Sequence, residues 1–371
     1  MALNANTFSG KQFEVYLAPE AVTGTFQTDD SKYRRVDVEG ITFPSFSPQQ
    51  EFEMRSGSGR LSEFDQVFSS SKRVTTEFTL SGRLTQEMWI ILCESATGDE
   101  FDGGTGTDSV LTLDKTYAGL NFKVGTNPAD DNDYSYLLSI YFKAPTAADS
   151  YKMASCTCTN FSIDADMDSA AGRFNYSATF QTQSAPAKAA IDMVSGQYDE
   201  IGTNFLYLSL WDERNIDIKD YTGSTDQDDI TPLFKTFNFS VDCPTQFLGA
   251  TGTAGEPEVW AKALPELSIT YGGSVKYDAE TDNMVEAFRD PDGGSYLGLY
   301  LADIPVTGTT ETPTGDFFDG TSVVKFGIWA ARAKLTSCEV STDDVAMVNF
   351  EAKVLAPSSG NALHLLGGDN A

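Results

Sequence analysis

The chain is 371 residues long, 40% apolar and 12% aromatic, and sets 25 Lys and Arg against 54 Asp and Glu for a formal net charge of −29. That balance excludes a phosphate-neutralising surface as the dominant feature, and with it sequence-specific DNA binding. It also carries too much apolar material for a disordered chain. At the usual ~100–200 residues per domain, the length predicts two domains and argues against a single apolar core. The single histidine, His364, removes the commonest general base and metal ligand from almost the whole sequence. Cys93, Cys156, Cys158, Cys243 and Cys338 form no C-x-x-C pair and read as reduced core thiols. The opening MALNANTFSGKQFEVYLAPE has no apolar signal core and no stretch approaches the ~18 apolar residues of a membrane span, so synthesis and folding in a cytoplasm are expected.

In chain order, QFEVYLAPE at 12–20 alternates as a strand with Val15 and Leu17 on one face. GITFPSF at 40–46 enters Pro44, which cannot donate to a central ladder and marks an edge or bend. In QQEFEMR, Phe52 and Met54 oppose Glu51, Glu53 and Arg55; in RVTTEFTLS, Val74, Thr76, Phe78 and Leu80 oppose Arg73, Thr75, Glu77, Thr79 and Ser81. One sheet face is therefore wet. Between these strands lies SGSGRLSEFDQVFSSSK at 56–72, too long for a tight turn and read as an extended hairpin or arm. Its Leu61, Phe64, Val67 and Phe68 have little local chain to bury them; either they contact another subunit or the arm folds back on its own domain. SGRLTQEMWIILCE at 81–94 then predicts a helix capped by Thr85, with Met88, Ile91 and Leu92 packing on the sheet. Residues 95–133, rich in Gly and Asp, read as loops or a small insertion before the strands YLLSIYFKAP (136–145) and FNYSATFQ (174–181).

The second half repeats this order. FLYLSLWDE at 205–213 matches 12–20, SVDCPTQ at 240–246 matches 40–46 with Pro244 for Pro44, and YDAETDNMVEAFRD at 277–290 matches the helix with Thr281 at the cap. YLGLYLADIP (296–305) and VNFEAKVL (348–355) follow in the same sequence. Leu267, Ile269 and Tyr271 alternate with Glu266, Ser268 and Thr270, and FNFSVD exposes Asn238, Ser240 and Asp242. FLGATGTAGEPEVWAKALP supplies a second aromatic-bearing arm with Phe247, Val259 and Trp260. Ordered matches of this kind predict a tandem duplication: a first unit over 1–190, with its insertion at 95–133, and a second over 191–371. The join falls in the Pro-, Gly- and Ala-bearing 182–204.

No catalytic or metal framework emerges. DADMDSAAG at 164–172 starts like a calcium loop, but Ser169 and Asn175 stand where an EF-hand needs Gly and Glu, so a solvated hairpin tip is expected. Asp226, Asp228 and Asp229 read as a charged loop. Among so many acids no carboxylate pair is informative for glycoside hydrolysis. G-x-S-x-G, GxxxxGK[ST] and GxGxxG are all missing, so no enzyme and no cofactor is expected. The sequons at Asn160, Asn175 and Asn238 fall on predicted strands and read as accidental.

A strand, a long arm, a second strand, a short helix opening T-x-x-M and further strands, carried by EGITFPSFSPQQEFEMRSGSG (39–59) and TTEFTLSGRLTQEMWIILCES (75–95), resemble the tail tube (major tail) proteins of long-tailed bacteriophages. The resemblance covers the shared core of both halves. It implies a mainly β fold of two tandem sandwich or half-barrel units, each with one short helix, in which six units close a ring and rings stack into a tube. With two units per chain it implies a trimer. It implies a virion protein whose partners are further copies of itself, the tape measure protein, and the tail terminator and distal tail proteins, with DNA passing through unbound and no membrane involved.

The sign of the charge fits such a conduit, because Lys- and Arg-lined walls would hold phosphates whereas acidic and hydroxyl walls would not. Glu51, Glu53, Thr75, Glu77, Thr79, Asp242, Glu266, Ser268 and Thr270 are the expected lumen-facing residues. Arg55, Arg60, Leu61, Phe64, Phe68 and Lys72, beside Arg73, are the expected contacts of an arm that reaches the next ring. Two other readings stay open: a tail terminator or distal-tail ring that shares the unit without polymerising, and a carbohydrate-binding β-sandwich adhesin suggested by YLSLWDE (207–213) and KFGIWAA (325–331).

Overall fold

The computed structural model describes residues 12–20, 24–42, 49–52, 67–70, 76–98, 109–114, 121–123, 137–169, 172–182, 186–188, 190–191, 215–220, 227–229, 234–248, 259–262, 268–289, 296–302, 326–342, 345–355 and 361–367. The N-terminal half contributes β1 (Glu14–Pro19), β2 (Arg34–Val36), β3 (Gly40–Ile41), β4 (Gln49–Phe52), β5 (Val67–Ser70), β6 (Thr76–Arg83), α1 (Gln86–Thr97), β7 (Ser109–Asp114), β8 (Asn121–Lys123), β9 (Leu138–Lys143), β10 (Tyr151–Asp166), β11 (Asn175–Thr182) and β12 (Ala187–Lys188). The C-terminal half contributes β13 (Asn215–Asp220), β14 (Gln227–Asp229), β15 (Phe234–Asp242), β16 (Thr245–Leu248), β17 (Val259–Lys262), β18 (Ser268–Lys276), α2 (Ala279–Arg289), β19 (Tyr296–Ala302), β20 (Gly327–Ser341), β21 (Met347–Val354) and β22 (Asn361–Gly367). The protein is mainly β, as its alternating sequence predicts, and every described pairing is antiparallel.

One sheet dominates. Its central run is β3-β6-β11-β10-β15-β18-β21-β20, so β15 of the C-terminal half is laid directly against β10 of the N-terminal half. No described pairing closes this run into a barrel. Two long strands leave it. The start of β10 pairs with β9, which carries β1 and β2, and the start of β20 pairs with β19, which carries β13 and β14. The departure of β10 is marked by a register shift between Met153 and Cys156, where Ser155 adopts φ 55°. Left-handed backbone at a non-glycine residue needs a local anchor. The buried Glu20 carboxylate supplies one by accepting the Ser155 N–H, and also the Gly24 N–H at 2.9 Å.

Alternation in the central run is clean. In β6, Phe78 and Leu80 are buried while Glu77 is exposed and Thr79 half-buried; in β15, Phe237, Phe239 and Val241 are buried while Asn238 and Asp242 are exposed. The dry face meets α1, whose Met88, Trp89, Leu92 and Cys93 are buried. Thr85 caps this helix as its sequence predicts, accepting the Met88 N–H at 3.2 Å, and Gly98 ends it in left-handed conformation. α2 differs from expectation. It begins before Thr281, and Asp278 is the residue that accepts the Thr281 N–H, at 3.2 Å, while the buried Thr281 hydroxyl donates to the Lys276 carbonyl. The earlier carboxylate outcompetes the hydroxyl for the free helix-end donor.

The expectation of separate cores is overturned. Buried apolar residues of both halves form one continuous cluster, and Trp89 lies at its centre with ring centroids 6.2 Å from Phe161, 6.1 Å from Phe239 and 4.8 Å from Phe326. The cause is the β10–β15 pairing, which puts the dry faces of both halves on one side of one sheet. Within 95–133, read as loops or a small insertion, lie β7 and β8. β7 pairs with β22, and β8 adds a third strand to the β16–β17 hairpin. Asp228 and Asp229, read as loop, belong to the short strand β14. The FLYLSLWDE segment lies outside the described residues. Among the described residues no helix is long and apolar enough to cross a membrane.

Candidate functional site

The side of the central run opposite α1 is an extended polar face. Its rows are read from the strand registers. Ser81, Ser177, Ser162, Ser240, Thr270 and Lys353 face one another from β6 to β21, and Thr79, Thr179, Asn160, Asp242 and Ser268 form the neighbouring row. A third row runs Arg83, Asn175, Asp164, Asn238, Gly272, Glu351 and Ser337. Hydrogen bonds lace it together: Gln181 donates to Glu77 at 2.9 Å, the Ser240 and Thr270 hydroxyls meet at 2.7 Å, Asn175 donates to Asp164 at 3.1 Å, and Arg83 donates to Asn175.

Short side chains dominate the face, and its charges are interspersed. Glu77, Asp164, Asp166, Asp242, Glu339 and Glu351 are set among Arg83, Lys276, Lys334 and Lys353. It is richer in hydroxyls and amides than the carboxylate face its sequence leads one to expect. Part of it is an open groove of about 680 Å³ around Asn238, Ser240, Ser274, Asn349 and Glu351. In the third row, a Cβ at Gly272, between Asn238 and Glu351, would run into the Phe350 carbonyl.

Of the expected lumen residues, Glu77, Thr79, Asp242, Ser268 and Thr270 come together on this face. Glu51 lies in β4, opposite Phe68 of β5, and among the described residues β4 has no pairing with the central run. Glu53, Thr75 and Glu266 lie outside the described residues. So do Arg55, Arg60, Leu61, Phe64 and Lys72, whereas Phe68 lies in β5, so the arm does open as a hairpin. Asn160, Ser162, Asp164, Asn175, Ser177 and Asn349 complete the face, although the sequence alone does not single them out as part of it. The period-2 pattern of NFSIDAD and NYSATFQ is the signal that could have found them.

The remaining chemistry is quiet. DAD at 164–166 ends β10, and beyond it the Asp166 carboxylate accepts the Asp168 N–H at 2.9 Å. Among the described residues no group of three or more His, Cys, Asp and Glu is gathered to hold a metal. The cysteines are buried and unbridged. Burial drives the thiols of Cys93 and Cys156 well up, and that of Cys338 to about 11, so none of these three is a ready thiolate. Tyr176 and Tyr271 are likewise pushed up by burial, and the Tyr176 hydroxyl donates to the Asp37 carbonyl at 2.8 Å. No family model matches the chain, and no curated protein matches it.

Proposed function

We propose that this protein is a structural building block of a hollow assembly, a phage-type tail tube. In this reading three chains of two units each close a ring, rings stack, and the polar face becomes the wall of a channel through which DNA and a tape measure protein pass without sticking. It is a virion component and not an enzyme, and its partners are copies of itself together with the proteins that cap the two ends of the tube.

The observation that carries this reading is the continuity of the polar face across β10 and β15. The C-terminal half extends the sheet of the N-terminal half without a break, so a further half added at the side of β20 where no described strand pairs extends the same face. Duplication is supported by matching connections. The run β6-β11-β10-β9 parallels β18-β21-β20-β19, and α1 follows β6 as α2 follows β18. β1 lies between β2 and β9 as β13 lies between β14 and β19; β12 joins the start of β10 as β22 joins the start of β20. Hairpins β4–β5 and β16–β17 occupy the same place in the order. Short hydroxyl and amide side chains with interspersed charge give phosphates little to condense on.

Negative-stain images of the purified chain at high concentration test the proposal. End-on views are expected to show rings of three chains around a hollow. Compact monomers at every concentration, or particles without a central hole, overturn it.

A further inference from the structure

The two helices align through their hydrogen bonds. The Leu84 N–H donates to the Phe174 carbonyl and the Tyr277 N–H to the Ala346 carbonyl, both at 2.9 Å, where β6 and β18 run into α1 and α2. Thr85 then accepts the Met88 N–H on its hydroxyl and the Trp89 N–H on its carbonyl. Asp278 likewise accepts the Thr281 N–H on its carboxylate and the Asp282 N–H on its carbonyl. Asp278 therefore takes the place of Thr85, which corrects the match of Thr85 with Thr281 suggested by the sequence. On this alignment Met88 and Leu92 correspond to Thr281 and Val285, all buried. The adjoining stripe does not agree. Trp89, Cys93 and Ala96 are fully buried in α1, whereas Asp282, Glu286 and Arg289, which take their places in α2, are half-buried or exposed.

What covers Trp89 from the C-terminal half is Phe239 of β15 and Phe326 just ahead of β20, whose ring centroid lies 4.8 Å away. The N-terminal half has a different corner at the matching place. Met153 and Cys156 stand opposite Ile140 and Leu138 as Ala330 and Ala333 stand opposite Leu299 and Leu297, so Tyr151 corresponds to Ile328. Tyr151 pairs with Lys188 and Ile328 with Leu365, so Lys188 takes the place of Leu365. Counting back from Tyr151, Asp149 takes the place of Phe326. Phe326 and Leu365 are fully buried, whereas Asp149 and Lys188 hold each other at 3.2 Å with the lysine side chain 56% exposed.

We infer that α2 docks through Asp282, Glu286 and Arg289 against the Asp149–Lys188 corner of a second copy, so that ion pairs join chains where apolar packing joins the halves of one chain. The inference rests on the ring reading above, in which the unit that follows α2 is the N-terminal half of the next copy, and it names the chemistry of that joint. Both surfaces have exchanged apolar side chains for charged ones at corresponding places. Their charges are complementary: Lys188 is offered to the carboxylates of α2, and Arg289 to Asp149. A stripe that kept the equal of Trp89 would leave a large apolar side chain bare on every unassociated copy. Tyr277 and Phe288, 37% and 40% exposed, flank the charged stripe and supply apolar area for the contact to bury.

Sedimentation velocity of the full chain over a concentration series, with the charges reversed singly and together, tests the docking. Lys188→Glu is expected to raise the concentration needed for association by about tenfold. Glu286→Lys is expected to raise it as well, although this change lowers the net charge of −29 that drives copies apart. The double variant, which restores an opposite pair, is expected to recover most of the loss. Lys353→Glu, exposed on the opposite side of the sheet, makes the same change in net charge as Lys188→Glu and serves as the control. Rings that form with Lys188→Glu no different from Lys353→Glu, or single losses that simply add in the double variant, overturn the docking and leave the ring reading standing. No association at any concentration by the unaltered chain or any variant overturns the ring reading, and the docking with it.

Discussion

The far side of β10 and the far side of β20 are the same kind of edge in two different conditions. At β10 the positions from Asn160 to Asp166 are taken up by β15. At β20 the positions from Ser337 to Ser341 pair with β21 on one side, and no described strand pairs on the other. The apolar residues beneath differ in the same sense. Leu84 and Phe174, at the ends of β6 and of the β10–β11 hairpin, are fully buried, with Phe174 packed 5.2 Å from Phe326. Tyr277 and Ala346, which share the equivalent hydrogen bond in the C-terminal half, are exposed (37%) and half-buried. Whether a sheet edge is satisfied thus depends on the next unit along the chain rather than on the edge itself, and an open edge with apolar residues at its end is an invitation to another strand.

The widest difference is expected in hydrogen exchange. Seam amides of β10 and β15 should exchange only through global opening, worth roughly 5–15 kcal/mol, whereas the outward-pointing amides of Leu335–Val340 in the unassociated chain should exchange through local fraying. Equal protection of the two edges in a monomer would erase the distinction. Next comes Trp89→Ala, which opens a cavity shared by both halves. A loss of about 3–5 kcal/mol is expected, within one cooperative urea transition, and two separated transitions would show that the halves fold apart. Gly272→Ala forces a Cβ against the Phe350 carbonyl between β18 and β21 and should cost about 1–3 kcal/mol by thermal melt. Thr85→Ala removes the cap of α1 for about 1 kcal/mol, read by the same melt. The smallest effect is expected from Lys235→Ala. Its partner Asp168 is 75% exposed, so the pair contributes under about 1 kcal/mol, and high salt should remove the difference. A larger loss would mean that the internal seam depends on this charge.

How much of the molecule is legible in the sequence depends on the range of the interaction. Phe78 and Leu80 against Glu77 and Thr79, the Thr85 cap and the buried thiols are all set by local alternation and helix-end chemistry, and the structure agrees with the sequence at each. The β10–β15 pairing is not legible. Nothing local to NFSIDAD says that its second neighbour is FNFSVD, far along the chain, and with that pairing hidden, one core looks like two. The same gap conceals Asn160, Ser162 and Asp164 as members of the polar face. Thr281 misleads because its position in a T-x-x-M pattern outweighs the aspartate three residues earlier. Gly-rich composition at 95–133 masks β7, whose partner is the last strand of the sheet.

That last pairing has a consequence for how the protein is made. β7 emerges from the ribosome roughly 250 residues before β22, and at ~5–20 residues per second its partner is some tens of seconds away. Throughout that interval SVLTLD is a nascent strand without its β22 neighbour, flanked in sequence by Asp108 and ending in Asp114, charges of the kind that discourage premature pairing with other chains. Completion of the fold therefore waits on translation of the C-terminus, and a ribosome that stalls before residue 361 leaves that strand without its partner.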